Sequence, residues 1–357
     1  MTGEGRCSFL VPGELGTRTG GYTYDRHIIE GLRARQWAVE VLSLGEGYPA
    51  PDAAALERAA RVVEGLPDGA LAVVDGLAFG VLPELVQQHA QRLNWIALVH
   101  HPLALETGLD TGRQQALVDS ERRALAHACG VIVTSPATAR ALADFEVESS
   151  RIAVVEPGTE PAPLAAGSGG DALSLLCVAT VTPRKGHASL IEALAGLKDR
   201  RWVLHCAGSL TMDADCASAL AQAIDAHGLR ERVLLHGEQD EAGLRALYAK
   251  ADAFVLPSFH EGYGMALAEA LAHGLPVIST RAGAIPDTVP DAAGMLVTPG
   301  DVVELRAALQ RLMDDAAWRA QRAAGARAAR ERLSSWAQSS ARFAAALDAF
   351  NRSAGGA

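Results

Sequence analysis

Lysine is almost missing from this chain. Of its 32 lysines and arginines only Lys185, Lys198 and Lys250 are lysine, a bias that Arg-rich codon usage explains but that gives the placement of each lysine weight. No uninterrupted apolar run reaches the ~18 residues of a membrane span, and no charged-then-apolar leader opens the sequence. Metal-ligand and redox spacings are absent from the five cysteines, Cys7, Cys129, Cys177, Cys206 and Cys216. All but Cys216 lie in apolar contexts, so reduced, mostly buried thiols in a cytoplasmic protein are expected. The histidines show no metal spacing either. Positive charge is in deficit, with a net charge of −10. Residues 1–160 hold 13 Arg, no Lys and 21 Asp or Glu, giving −8, and the remainder carries −2. That balance argues against nucleic acid and against docking on an anionic membrane through the first half.

The 357 residues, 49% hydrophobic and 21% charged, suit a soluble globular protein of two ordinary domains. Short apolar runs alternate with helical patterns throughout. In the first half strands are expected at residues 8–11, 39–44, 71–74, 95–100, 131–135 and 152–156, with helices at 22–35 and 82–93. Residues 161–170, PAPLAAGSGG, are uncharged and read as a linker. The pattern then restarts, with strands at 173–179, 202–208, 233–236, 253–256, 277–280 and 295–297. Helices are expected at 187–196, 217–227 and over most of 305–332, and a last amphipathic segment at 336–350. The expected architecture is α/β, two doubly wound parallel sheets, with ligands at the carboxyl ends of the strands.

Residues 257–276, PSFHEGYGMALAEALAHGLP, carry the most information. An apolar run ends at Pro257, a glycine-punctuated turn follows, and a helical pattern begins near Gly264. A helix start suits a phosphate. Glu261 and Glu269, with seven residues between them, cannot bind the phosphate themselves. They are suited to accept hydrogen bonds from hydroxyls on either side of it. A diphosphate with a sugar at one end and a ribose at the other, a nucleotide sugar, fits that description.

The sequence resembles the family 4 glycosyltransferases of the GT-B fold, most specifically over residues 233–285. The resemblance implies a GT-B architecture: an acceptor-binding domain at 1–162, a nucleotide-sugar-binding domain at 163–335 facing it across a cleft, and a helix at 336–357 returning to the first domain. It also implies that Glu261 accepts hydrogen bonds from the transferred sugar and Glu269 holds the ribose. The amides of Gly262, Tyr263, Gly264, Met265 and Ala266 would meet the sugar and diphosphate, and the backbone near Gly237 the base. Gly262 and Gly264 allow that close approach on their own physical grounds.

Thr180–His187, TVTPRKGH, follows a strand and opens a helix. Lys185 matches the family's phosphate lysine. The family's arginine five positions earlier is Thr180 here, and Arg184 is the candidate replacement. Cations there suit a leaving diphosphate. Gly20 and Gly21 close the loop after the first strand, where the family uses a glycine pair, and GELGTRTGG lacks the G-x-G-x-x-G dinucleotide spacing. His100, ahead of His101, ends a strand where family members place a histidine close to the donor sugar. Asp213 and Asp215 read as N-capping and solvated carboxylates rather than metal ligands. The stretch around Gly158 and Glu160 departs from the family's turn and reads as a hinge.

The resemblance thus implies a retaining hexosyltransferase with no metal and no cofactor, its catalytic residues being Glu261, His100, Lys185 and Arg184. UDP-sugars are the favoured donors, with GDP-mannose second, and the acidic first half favours a small soluble acceptor. A GT-B-fold epimerase or phosphorylase, or a nicotinamide-dependent Rossmann enzyme, are the alternatives.

Overall fold

The computed structural model describes residues 5–17 and 19–354. Two compact units divide the chain, Met1–Gly158 with Ser334–Ala357, and Thr159–Leu333. The first contains a six-stranded parallel sheet of β1 (Arg6–Val11), β2 (Ala38–Ser43), β3 (Leu71–Asp75), β4 (Asn94–Val99), β5 (Gly130–Val133) and β6 (Ile152–Val154). Its order is β2-β1-β3-β4-β5-β6. The second contains β7 (Leu173–Val178), β8 (Trp202–Ala207), β9 (Val233–Leu235), β10 (Ala253–Val255), β11 (Val277–Thr280) and β12 (Gly294–Val297). These run in parallel in the order β12-β11-β10-β7-β8-β9.

The strands that read as continuous apolar runs are the ones covered on both faces: every residue of β3, β5 and β10 is buried. Strand order reverses between β1 and β3 in the first unit and between β7 and β10 in the second. Ligands of doubly wound sheets bind at such switch points, outside the carboxyl ends of the strands. The loops after β7 and β10 hold Lys185 and Glu261.

Several expectations are corrected. Helix Gly20–Ala34 starts two residues before the expected boundary and is capped by Thr19, whose side chain accepts from Tyr22 N. Gly20 and Gly21 are therefore its first turn and do not close the preceding loop. The expected 305–332 helix is two, Val302–Asp314 and Ala316–Arg330, because Asp315 leaves helical geometry and caps the second through Trp318 N at 2.8 Å. Helices Ala53–Glu64, Thr111–Leu125 and Glu241–Lys250 went unread, although Asp52, Asp110 and Asp240 each cap one. The middle one is rich in charged and polar residues, which blurs its apolar period. The 161–170 segment has no secondary structure but lies pinned along the second unit. Ala165 N donates to His273 O, Ala166 N to Ala249 O, and Pro163 O lies 2.9 Å from His273 Nδ1. No helix of the described residues is long and apolar enough to cross a membrane.

The final helix, Trp336–Ala354, belongs to the first unit. Its Trp336 ring stacks on His27 at 4.1 Å and 9°, and Phe343 lies against Phe9 of β1 with ring centroids 6.3 Å apart. Gly31 admits the close approach of the two helices, since a Cβ there would sit 2.3 Å from Ser340 Cβ. Phe343→Ala, at a fully buried position, is expected to destabilise the first unit by about 3–5 kcal/mol. A fall in its urea midpoint measures this, and an unchanged midpoint would contradict the docking.

Candidate active site

In the second unit the loops after β7 and β10 are fixed to one another before any side chain is considered. Gly186, at φ +72°, presses against Pro257 so closely that a Cβ would meet the Pro257 carbonyl oxygen at 2.1 Å. Phe259 N donates to Arg184 O at 2.7 Å. The Glu261 peptide is held from a third side, where Ala284 N donates to Glu261 O at 2.9 Å and Gly283 leaves no room for a side chain.

That backbone frame brings Lys185, Arg184 and Glu261 together. Lys185 Nζ donates to Glu261 Oε1 at 2.6 Å, and Ser258 Oγ donates to the same oxygen at 2.6 Å. Arg184 Nη1 donates to His260 O at 2.8 Å and lies 3.8 Å from Glu261 Oε2. The Glu261 side chain is only 8% exposed. Burial pushes its carboxyl up, but the charges of Lys185 and Arg184 and the hydrogen bonds from Lys185 and Ser258 more than offset this and hold it below the usual range. Glu261 is therefore ionised at neutral pH, with one oxygen doubly engaged. Ser258 is fully buried and was missed in the sequence, where a serine after a proline reads as turn chemistry.

Glu269 projects from helix Met265–Ala272 and accepts from Tyr248 Oη at 2.9 Å. Burial raises its pKa, and the tyrosine hydrogen bond lowers it less. Tyr248 is positioned by stacking on His273 at 4.7 Å and Phe254 at 6.1 Å. Gly264, at φ +89°, opens the Met265–Ala272 helix, and no side chain caps that start. A helix start without a side-chain cap, flanked by one ionised and one half-buried carboxylate, presents backbone N–H groups to an anion. Gly237, also in the left-handed region at φ +65°, follows β9, and its carbonyl accepts from Gly208 N at 2.9 Å. Asp213 and Asp215 fall as expected: Asp213 caps helix Ala214–Ala226 through Cys216 N at 2.9 Å, and Asp215 lies in its first turn.

In the first unit His100 follows the last residue of β4. Its Nε2 lies 3.2 Å from Asp25 Oδ1 and 3.5 Å from Asp75 Oδ2. Asp75 ends β3, and its other oxygen accepts from Leu77 N at 2.7 Å. Tyr24 meets the His100 ring edge-on at 5.2 Å. Gly21 is adjacent, since a Cβ there would lie 3.5 Å from His100 Cδ2. Burial alone would push the imidazole down, but the hydrogen bonds it donates to Asp25 and Asp75, and the charges of both carboxylates, carry it up to about 10. The histidine is thus a fixed imidazolium, and sequence reasoning found neither of the aspartates that make it so. Behind it, Glu121 is buried and accepts from Leu103 N at 2.8 Å and Ala104 N at 3.0 Å, which fixes the turn after His101.

Two doubly wound six-stranded parallel sheets are the architecture of the GT-B glycosyltransferases. The comparisons agree. The family described as "Glycosyl transferases group 1" matches residues 172–315. An MMP alpha-(1->4)-mannosyltransferase of Mycolicibacterium hassiacum is 30% identical over 284 residues, 75% of this chain and 67% of that protein. A D-inositol 3-phosphate glycosyltransferase of Salinispora tropica is 29% identical over 286 residues, 68% of this chain and 59% of that protein. Anabaena HepE, solved in complex with UDP and glucose, superposes with a TM-score of 0.74 at 19% identity, covering 95% of this chain and 99% of that one, a likeness of fold. The chain belongs to the group 1 glycosyltransferases of the GT-B fold; it is a glycosyltransferase, and the epimerase, phosphorylase and nicotinamide-enzyme alternatives are not favoured.

The His100 charge has a pH consequence. Its folded pKa lies above the ordinary value of 6.5, so the stability its charge contributes is lost as pH rises toward about 10; burial carries the Asp25 carboxyl up to about 7, so protonation of that partner weakens the pairing from the acid side as pH falls through about 7. Imidazole NMR shifts should show His100 still protonated at pH 8, and Asp75→Asn should lower its titration midpoint. Titration of His100 near 6.5 in the wild type would contradict the assignment.

Proposed function

We propose that this chain is a retaining, family 4 hexosyltransferase that works in the cytoplasm without a metal. In this reading it moves a hexosyl unit from a nucleotide-diphosphate sugar to a small soluble acceptor. UDP-sugars are the first choice of donor and GDP-mannose the second. The observation that carries the reading is the pairing of half-buried Lys185 with buried Glu261 beside the start of helix Met265–Ala272, which no side chain caps. One anion site, one cation and one ionised acceptor of hydrogen bonds are the parts that a sugar diphosphate needs. The UDP bound by HepE supports the donor choice, and the acceptor named for the inositol phosphate relative supports a small soluble one. The acidic first half points the same way.

In this proposal the amides of 262–266 and the helix start receive the diphosphate, Glu269 takes ribose hydroxyls, and Glu261 takes hydroxyls of the transferred sugar. Lysine has three donors, so Lys185 can keep Glu261 and still bond a phosphate oxygen. As the bond from the anomeric carbon to the diphosphate oxygen breaks, the acceptor oxygen bonds to that carbon from the same face. The acceptor proton passes to the departing diphosphate. Lys185 and Arg184 stabilise the charge that collects there, electrostatic help worth several kcal/mol in a water-poor site. The fixed charge of His100 is assigned to a substrate hydroxyl.

Nucleotide sugars should be screened by thermal shift, and nucleotide release then assayed with pools of small acceptors. Glu261→Gln and Lys185→Ala are each expected to lower kcat at least about 100-fold with the fold kept by circular dichroism. Glu269→Gln should act mainly on donor KM. Wild-type turnover in both of the first two variants would overturn the reading, as would the absence of stabilisation by any nucleoside diphosphate sugar.

A further inference from the structure

Behind the Arg184–Lys185 loop, three donor atoms that no step above uses converge in the core of the second unit. Cys177 of β7 and Cys206 of β8 are register partners in adjacent parallel strands, so both thiols leave the same face of the sheet. His187 opens the helix after Gly186 and brings Nε2 to 3.6 Å from Cys177 Sγ. The three ligand atoms all lie within 4.8 Å of one another. Exposures are 0% for Cys177, 3% for His187 and 4% for Cys206. The other ring nitrogen, His187 Nδ1, is buried with no hydrogen-bond partner, so the ring's polar contact is made through Nε2 alone.

We propose that Cys177, His187 and Cys206 form a binding site for a thiophilic divalent ion of the Zn2+ type, separate from the sugar-nucleotide site. Distance, charge and donor type each support it. A tetrahedral ion with bonds of about 2.3 Å to sulfur and about 2.0–2.1 Å to nitrogen needs an S···N edge of about 3.5 Å, and the observed edge is 3.6 Å. Two thiolates and a neutral imidazole cancel the charge of such an ion, so a loaded site carries no net charge into a core that could not solvate one. Loading releases two protons, one from each thiol, and forms two metal–sulfur bonds and one metal–nitrogen bond. Two sulfurs and an imidazole select this class of ion over Mg2+ or Ca2+, which take oxygen ligands. The site was invisible to spacing rules because its ligands come from two strands and a helix, at positions 177, 187 and 206. Cys7 and Cys129 belong to the other unit, and Cys216 lies outside the cluster, so the chain contains its own controls.

Co2+ is a direct probe, because thiolate ligation gives near-ultraviolet charge-transfer absorption and tetrahedral geometry gives intense visible bands. The full chain, reduced and stripped with a chelator, is refolded from urea with Co2+ present, so that burial does not bar entry. The expected result is one equivalent of Co2+ with both band sets, bleached by one equivalent of Zn2+. Cys216→Ser should leave the spectrum intact. Cys177→Ser and Cys206→Ser should each weaken the charge-transfer bands and lower the affinity at least tenfold, and loading should raise the Tm of the wild type but not of these variants. Should Cys177→Ser fail to refold by circular dichroism, Cys206→Ala and His187→Gln serve in its place. A wild type without thiolate-to-cobalt absorption would reduce the cluster to hydrogen-bonded core thiols. Equal absorption in the Cys177/Cys206 double variant would overturn the assignment.

Discussion

The rest of the site depends on one buried carboxylate. Glu261 is kept from water, and an ionised carboxylate in that position is tolerated only with opposite charge and hydrogen bonds close at hand. Lys185 and Ser258 supply both to the same oxygen. To do so, two loops that follow non-consecutive strands must meet, and they meet at Gly186 and Pro257 with no space for a β-carbon. Parallel strand order puts β7 beside β10, and the switch in order opens the space where both loops emerge. Sheet topology, a left-handed glycine and an ion pair thus converge on a single oxygen atom.

The first unit solves the converse problem. There a cation, His100, is set against the two carboxylates of Asp25 and Asp75, which come from the first helix and the end of β3. In each unit a charge of one sign is held at the carboxyl edge of a sheet by charge of the other sign. Groups held this way reorganise little when a charged substrate arrives, and preorganisation is what electrostatic catalysis requires. The two arrangements differ in strength. Glu261 is held by a cation at 2.6 Å, while His100 shares one nitrogen between two acceptors at 3.2 and 3.5 Å.

The fold was legible because the central parallel strands are buried, continuous apolar runs, and even the partly exposed edge strands Ala38–Ser43 and Ile152–Val154 overlap expected strands. Helices were read less well where polar residues blur the period, as in Thr111–Leu125, or where one aspartate divides a long pattern, as Asp315 does. The pair Glu261 and Lys185 could be found because each lies in a local motif next to glycine. Their partners could not. Ser258 looks like any turn serine, Asp25 like any helix carboxylate, and Asp75 like any strand end. What gives them roles is proximity across 75 residues in sequence for Asp25 and His100, information that a linear pattern does not carry. The linker shows the same limit, since its composition speaks of freedom while its hydrogen bonds to His273 and Ala249 tie it down.

Glu261 also bears on why donor identity is hard to read in such a chain. In the proposed reading the groups that would meet the diphosphate are backbone amides and a lysine, which answer to charge and not to the identity of base or sugar. Discrimination between sugars rests on hydroxyl positions, and Glu261 has one oxygen already doubly bonded to protein donors. Its other oxygen, Oε2, has Arg184 at 3.8 Å, beyond hydrogen-bonding distance. A hydroxyl donating to that oxygen would be placed by a carboxylate that cannot rotate without breaking two short hydrogen bonds. In the proposed reading, selectivity would then follow from the fixed direction of a single acceptor. A rigid acceptor penalises a misplaced hydroxyl more than a mobile one does, because the buried charge is left with fewer partners.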